Sequence, residues 1–199
     1  MQNDIDRLLN YKKYLNSIQS ILDNYFENQS DYICCKKGCS YCCEKGVYPY
    51  SELEMQYLFL GAANLSRDDK IEIRQRIEEL KEEYKKFKGE KFLHRCPFLN
   101  NNKECMVYDY RGIICRNFGI LQVNDSGRVL MPFCQELGLN YSTVYDDSQS
   151  KFNFDKVEEL GYKHAPKPFP VSRNLLMDKD LFEGEPLDFG ESKAMIEWF

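Results

Sequence analysis

The sequence predicts a small α+β fold, mostly helical, with short hairpins wrapped around a cluster of cysteines. Three observations predict it. Apolar residues recur at helical spacing through most of the first half of the chain. Short apolar runs separated by Asn- and Gly-bearing turns follow. Nine cysteines are present, and five of them fall in the ten residues from Cys34 to Cys43.

The elements follow in order. Leu8, Leu15 and Leu22 repeat every seven positions, as do Tyr11, Ile18 and Tyr25, so residues 1–30 read as one amphipathic helix with both rows on one face. Asn3 followed by Asp6 is its start signal. Three heptads point to a helix docked on its own domain rather than to a coiled-coil partner. Ser51-Glu52-Leu53-Glu54 is a capping box that opens a short helix, with Leu53, Tyr57, Leu58 and Leu60 facing inward and Gly61 weakening its end. Ser66 with Asp69 caps the next helix. Its apolar stripe is Ile73, Ile77, Leu80, Tyr84 and Phe87, and Gly89 stops it.

After Lys91 the pattern shortens. Cys96-Pro97-Phe98-Leu99 and Cys105-Met106-Val107-Tyr108 read as extended arms joined by the turn Asn100-Asn101-Asn102-Lys103. Residues 119–123 and 128–131 form a second hairpin around Asn124-Asp125-Ser126-Gly127. The stretch from Ala165 to Pro170 is polyproline-like, and Trp198-Phe199 at the acidic end either docks or frays. These signals divide the chain into an N-terminal helix (1–30), a cysteine-bearing domain (31–135) and a C-terminal extension (136–199).

Composition excludes several classes of function. With 199 residues the chain is long enough to bury about 70% of its unfolded surface, so its core needs no covalent staples. The net charge is −5, and Asp178 to Phe199, with seven acids and two lysines, carries all of that excess. The neutral remainder argues against nucleic-acid and anionic-membrane partners. No apolar run is long enough for a membrane span, and the N-terminus lacks a secretory pattern, so the expected compartment is the cytoplasm. There an odd number of cysteines makes a poor disulfide framework, whereas crowded thiolates hold metal.

The main motif is Cys35-Lys36-Lys37-Gly38-Cys39-Ser40-Tyr41-Cys42-Cys43, a C-x3-C-x2-C-C pattern in which Gly38 allows a tight turn. Further thiols follow at Cys96, Cys105, Cys115 and Cys134. Lys36, Lys37, Arg95, Arg111 and Arg116 stand beside them, and cations there favour thiolates. Histidine is scarce. His94 lies two residues before Cys96, and the reading as a hydrogen-bonded residue is preferred to that of a ligand. Glu44 and Asp109 are the carboxylates available as a base.

The ordered combination resembles the YkgJ-type cysteine-cluster proteins, whose signature runs C-x3-C-x2-C-C, C-P-x-L, C-x-x-Y and R-P-x-x-C-R before an aromatic residue. The matching positions are Cys35, Cys39, Cys42 and Cys43, then Cys96-Pro97-Phe98-Leu99, Cys105-Met106-Val107-Tyr108 and Arg111-Gly112-Ile113-Ile114-Cys115-Arg116-Asn117-Phe118. The resemblance spans Tyr32 to Cys134. Gly112 stands where the family usually has proline, which loosens a turn and removes no ligand. The resemblance implies a bacterial metal-binding protein that chelates iron, as an ion or as an iron–sulfur cluster, or zinc. Its expected ligands are Cys35, Cys39, Cys42, Cys43, Cys96, Cys105, Cys115 and Cys134, leaving Cys34 spare.

Other readings compete with simple chelation. The longer flagellin lysine methylases carry a similar cluster, so an iron–sulfur oxidoreductase or an S-adenosylmethionine-dependent methyl-transfer enzyme is the alternative. Whether any reaction is catalysed stays open, and no protein partner is indicated. Cys35-x3-Cys39-x-Tyr41-Cys42 also matches the radical S-adenosylmethionine motif, but the six strand–helix units of that barrel do not follow Cys43. Asp188-Phe189-Gly190 lacks every other kinase element and is noise.

Overall fold

Local signals become elements much as the sequence spaces them. A computed structural model describes residues 4–36, 38–124, 126–170 and 186–199, so the expectations for Asn3, Lys37, Asp125 and the first part of the acidic stretch from Asp178 lie outside the described residues. Helix α1 (Asp4–Asn28) has Asp4 and Asp6 in its first turn, where acids suit the helix dipole. It buries Tyr11, Tyr14, Leu15, Ile18 and Leu22 along one face. A four-residue turn, α2 (Tyr41–Glu44), and strand β1 (Pro49–Ser51) follow. Then come α3 (Glu52–Ala63) and α4 (Arg67–Lys86). The rest is short: α5 (Ile113–Asn117), β2 (Gln122–Val123), β3 (Val129–Leu130), β4 (Tyr145–Asp146), β5 (Lys151–Phe152), α6 (Phe154–Glu159), β6 (Phe169–Pro170) and β7 (Ser192–Ala194). The fold is therefore small, mostly helical α+β, with no barrel among the described residues. No helix among them is long and apolar enough to cross a membrane.

The chain divides into two compact units. The first comprises Met1–Lys12, Lys37–Arg116 and Leu187–Phe199, and the second Lys13–Lys36 and Asn117–Pro186. In the first, the core is Tyr48, Tyr50, Met55, Leu58, Ile73, Cys96, Phe98, Leu99, Val107 and Met195. Tyr11 packs edge-on against Tyr57 and Phe189 there, so the start of α1 docks on its own chain. The acidic end docks as well: β7 pairs antiparallel with β1, setting Pro49 opposite Ala194 and Ser51 opposite Ser192. Trp198 Nε1 donates to the Tyr50 carbonyl at 3.1 Å. Asp188-Phe189-Gly190 makes a turn in which Gly190 N–H donates to Asp188 Oδ1.

In the second unit Tyr32, Leu121, Tyr141, Val144 and Val157 form the core. The hairpin β2–β3 forms as the sequence predicts, with the Asn124 side chain accepting from Ser126 and Arg128 N–H across the turn. Of the polyproline-like stretch, Phe169-Pro170 becomes a strand, parallel to β2.

The capping box is present, with Ser51 Oγ accepting from Glu54 N–H and Glu54 from Ser51 N–H. Two details of α3 differ from the sequence reading. Leu60 faces outward, because the buried stripe is Leu53, Glu54, Met55, Tyr57, Leu58 and Gly61. Gly61 does not loosen the helix end; it admits Tyr110, since a Cβ there would lie 2.4 Å from Tyr110 Cγ. Gly61→Ala gains about 1 kcal/mol of helix propensity but overpacks the near end of a tyrosine, at a cost of roughly 1–3 kcal/mol. We expect a net loss of stability in urea denaturation.

Candidate metal centre

Short-range geometry first brings α2 against the Cys96 arm. Cys43 and Glu44 N–H both donate to the Ser40 carbonyl, closing the α2 turn. The Cys43 carbonyl in turn accepts from Cys96 N–H at 2.8 Å, and Gly46 and His94 exchange both backbone hydrogen bonds. The Tyr48 hydroxyl donates to the carbonyls of Cys43 and His94, at 2.9 and 3.1 Å. Gly46 has no room for a side chain, since a Cβ would meet Tyr48 Cε1 at 2.7 Å.

The Cys105 arm folds back on the Cys96 arm, as the sequence predicts. Leu99 pairs with Cys105, and Met106 N–H donates to the Phe98 carbonyl. Arg76, from α4, clasps this turn by donating to the carbonyls of Pro97 and Leu99. Cys115 arrives on α5. The first amides of that helix are gripped by the β1–α3 junction: Gly112 N–H donates to the Tyr50 hydroxyl at 3.0 Å and Ile113 N–H to Glu54 Oε1 at 3.0 Å.

Cys42, Cys96, Cys105 and Cys115 are thereby brought within electrostatic reach of one another in the first unit, and Cys43 within reach of Cys42, Cys96 and Cys115. Burial, then neighbouring thiols, pushes the Cys96 thiol up, and burial does the same at Cys105. Burial pushes Cys115 up to about 12. In the Cys42–Cys43 pair the hydrogen bond between the two sulfurs lowers Cys42 and raises Cys43. The positive charge of Arg111 acts on Cys42, Cys105 and Cys115 and favours their thiolates. It is fixed there by stacking on Tyr108, 3.5 Å from the ring centroid, and by donating to the carbonyls of Tyr108 and Cys115. Each ionisation in such a group opposes the next, so a bound cation is what would let several ionise together.

The donor chemistry fits zinc or iron. The adjacent cysteines of α2 converge: the Cys42 and Cys43 sulfurs are 4.0 Å apart. Two ligands on one tetrahedral zinc, with Zn–S near 2.3 Å, stand about 3.8 Å apart. No disulfide joins any of the described cysteines. Among the described residues no three Cys, His, Asp or Glu side chains are yet arranged to hold a metal ion, so the fold brings these thiols near one another without closing them into a coordination shell.

The remaining candidates lie elsewhere. Cys39 sits in the first unit just ahead of α2 and is half-buried. Cys35 and Cys134 belong to the second unit, where both act on the Tyr141 phenol. Asn140, 1% exposed, organises Cys35: its amide donates to Cys35 Sγ at 3.2 Å and to the Gly119 carbonyl, while its oxygen accepts from Cys34 N–H at 2.7 Å. Cys34 is thus engaged through its backbone and Cys35 through its sulfur. Asn140→Ala strands the buried Gly119 carbonyl, at roughly 1–3 kcal/mol, and removes the acceptor of the Cys34 amide, at about 1 kcal/mol. We expect a fall of about 3 kcal/mol in unfolding free energy by urea titration.

His94 is a packing residue. It stacks on Phe92 and meets Tyr48 edge-on, and its Nδ1 lies 2.9 Å from the Arg95 carbonyl. Burial lowers its pKa, and Glu83 is the charge that acts on it. Glu44 pairs with Arg95 at 3.3 Å, and Arg116 donates to the carbonyls of Arg111 and Asp109. Tyr48, Tyr50 and Asn140 escaped sequence reasoning. Apart from the Cys43 carbonyl that Tyr48 bonds, the partners named here are remote in sequence, and no local motif marks these residues. Gly112 did carry a signal, as a departure from proline, but its meaning is steric and polar: a Cβ would lie 2.8 Å from Tyr50 Cε1, and proline would have no N–H to donate.

The fold is small, mostly helical α+β, and the thiols that it brings near the Arg111 guanidinium are a donor set that suits a soft metal ion. The chain belongs to the CxxCxxCC family, described as "Putative zinc- or iron-chelating domain", whose profile matches residues 34–135. No curated protein and no solved structure matches the chain.

Proposed function

We propose that this chain is a noncatalytic chelating module that holds iron in an all-thiolate, polynuclear centre founded on Cys42, Cys43, Cys96, Cys105 and Cys115. Cys39, in the same unit, is a further candidate ligand of that centre, and Cys35 and Cys134 are candidate ligands within the second unit. The observation that carries the proposal is the 4.0 Å approach of the Cys42 and Cys43 sulfurs on α2, beside the Cys96 arm that the Cys43 carbonyl holds, with Cys105 and Cys115 within electrostatic reach of Cys42. One zinc ion takes four ligands, typically from paired C-x2-C knuckles. Five thiols at irregular spacing suit an iron–sulfur or other polynuclear centre better. The noncatalytic reading is supported by the polar groups beside the thiols. Arg111, Arg116, Glu44 and Arg95 are committed to backbone carbonyls or to each other. Unpaired thiols in such number suit a reducing, cytoplasmic setting.

Anaerobic purification with metal analysis and an absorption spectrum tests the reading. We expect iron, more than one ion per chain, and visible thiolate-to-iron absorption. A colourless protein with a single zinc would overturn the iron assignment, and a folded, metal-free protein would overturn chelation itself. A calorimetric titration with S-adenosylmethionine is expected to be silent, and heat of binding would restore the methyl-transfer alternative. Cys34→Ser should leave the metal content intact while Cys35→Ser lowers it. The opposite result would move the ligand register by one residue.

A further inference from the structure

Tyr50 lies within the core of the first unit, 1% exposed, and its hydroxyl has two neighbours of unequal chemistry. Gly112 N–H can only donate, and it does so to the phenol oxygen at 3.0 Å. Cys115 Sγ stands 3.3 Å from the same oxygen. With the oxygen accepting from the amide, the phenol proton has the sulfur as its acceptor, and S–H is a weak donor for the reverse arrangement. The order is therefore Gly112 N–H to Tyr50 O, and Tyr50 O–H to Cys115 S.

Both ends of this relay are held in place. The ring is fixed by β1, whose Tyr50 carbonyl accepts from Trp198, and Gly112 is fixed by its packing on Tyr50 and Glu54. Residue 112 must offer an N–H and carry no Cβ, because a Cβ would meet Tyr50 Cε1 at 2.8 Å and Glu54 Oε1 at 2.9 Å. The neighbouring amide of Ile113 is taken by Glu54, so the Gly112 amide faces the phenol alone.

We propose that Tyr50 is a positioning residue whose hydroxyl, oriented by Gly112, donates a standing hydrogen bond to the Cys115 sulfur and sets the donor strength of that thiolate toward the metal. The inference rests on the chelation reading above. A hydrogen bond to a ligating sulfur withdraws electron density from it, and such bonds help to set the potential of thiolate-bound iron. Without the phenol, Cys115 would be a more electron-rich ligand in an otherwise unchanged site.

Cobalt(II) added to the reduced, metal-free 199-residue chain provides the test. Tyr50→Phe deletes one oxygen and keeps the ring. We expect the cobalt-to-protein ratio to match the wild type while the sulfur-to-cobalt charge-transfer band moves to lower energy. In a Cys115→Ser background the same change should produce no further shift. Superimposable spectra at equal cobalt loading would overturn the role of Tyr50 while leaving chelation standing. A band shift that persists in the Cys115→Ser background would also overturn it, because the phenol would then act through another ligand. Loss of the fold or of cobalt in Tyr50→Phe would reduce Tyr50 to a structural prop. A wild-type protein that takes up neither cobalt nor zinc would refute the underlying reading and this inference together.

Discussion

Cys96→Ser is expected to lower metal affinity by about a hundredfold or more, with little change in the fold of the metal-free chain. Structural thiolate sites bind with roughly 10–16 kcal/mol, so each of four or five ligands accounts for several kcal/mol. Every tenfold change in affinity is about 1.4 kcal/mol. Cys96 is the most buried thiol of its group and opens the first arm, with its amide already spent on the Cys43 carbonyl. Serine keeps that amide and the side-chain size but is a poor ligand for a soft ion. Competition with a chromophoric chelator reads the change. A Cys96→Ser protein that holds metal as tightly as the wild type would exclude Cys96 from the centre, whereas Cys43→Ser provides the same test on α2.

Removal of Ser192–Phe199 is expected to unfold the first unit. Strand β7 is the partner of β1, and Met195 and Ile196 are almost fully buried. Burying side chains of this kind stabilises by roughly 1.5–3 kcal/mol each. The Trp198–Tyr50 hydrogen bond and that from Met195 N–H to the Tyr48 carbonyl add about 1 kcal/mol apiece. The total, about 5 kcal/mol or more, rivals the whole stability of a typical domain. Because β1 carries Tyr50 and follows Tyr48, the loss would also free Tyr48, which holds the Cys43 carbonyl, and Tyr50, which meets the Cys115 sulfur. Loss of cooperative thermal unfolding and of metal uptake in the truncated chain are the expected readouts. A truncated protein that melts like the intact chain would show that β1 needs no partner. Met195→Ala, at a cost of about 2–5 kcal/mol, asks the same question more gently.

Much of the chain is legible from local sequence. The capping box at Ser51–Glu54, the Ser66 cap, the buried face of α1 and the β2–β3 turn each depend on residues within one or two turns of each other. So does the cysteine motif, whose spacing leads to the family that the chain proves to belong to. Spacing rules go wrong where packing overrides period. Leu60 has a core-like position in the pattern yet faces out, and Gly61 reads as a helix weakener yet makes room for Tyr110.

The sequence by itself determined the chemistry: many thiols, few histidines and a motif of tightly spaced cysteines. Only the tertiary structure decided which thiols meet and what else meets them. Tyr50 and Cys115 are 65 residues apart and Asn140 and Cys35 are 105 apart. The strand that completes β1 comes from the far end of the chain. Periodicity reports the face a residue presents on its own element, and capping reports its nearest amides. Neither carries information about a partner brought in by the collapse of distant segments, whose closure depends on the burial of the whole core.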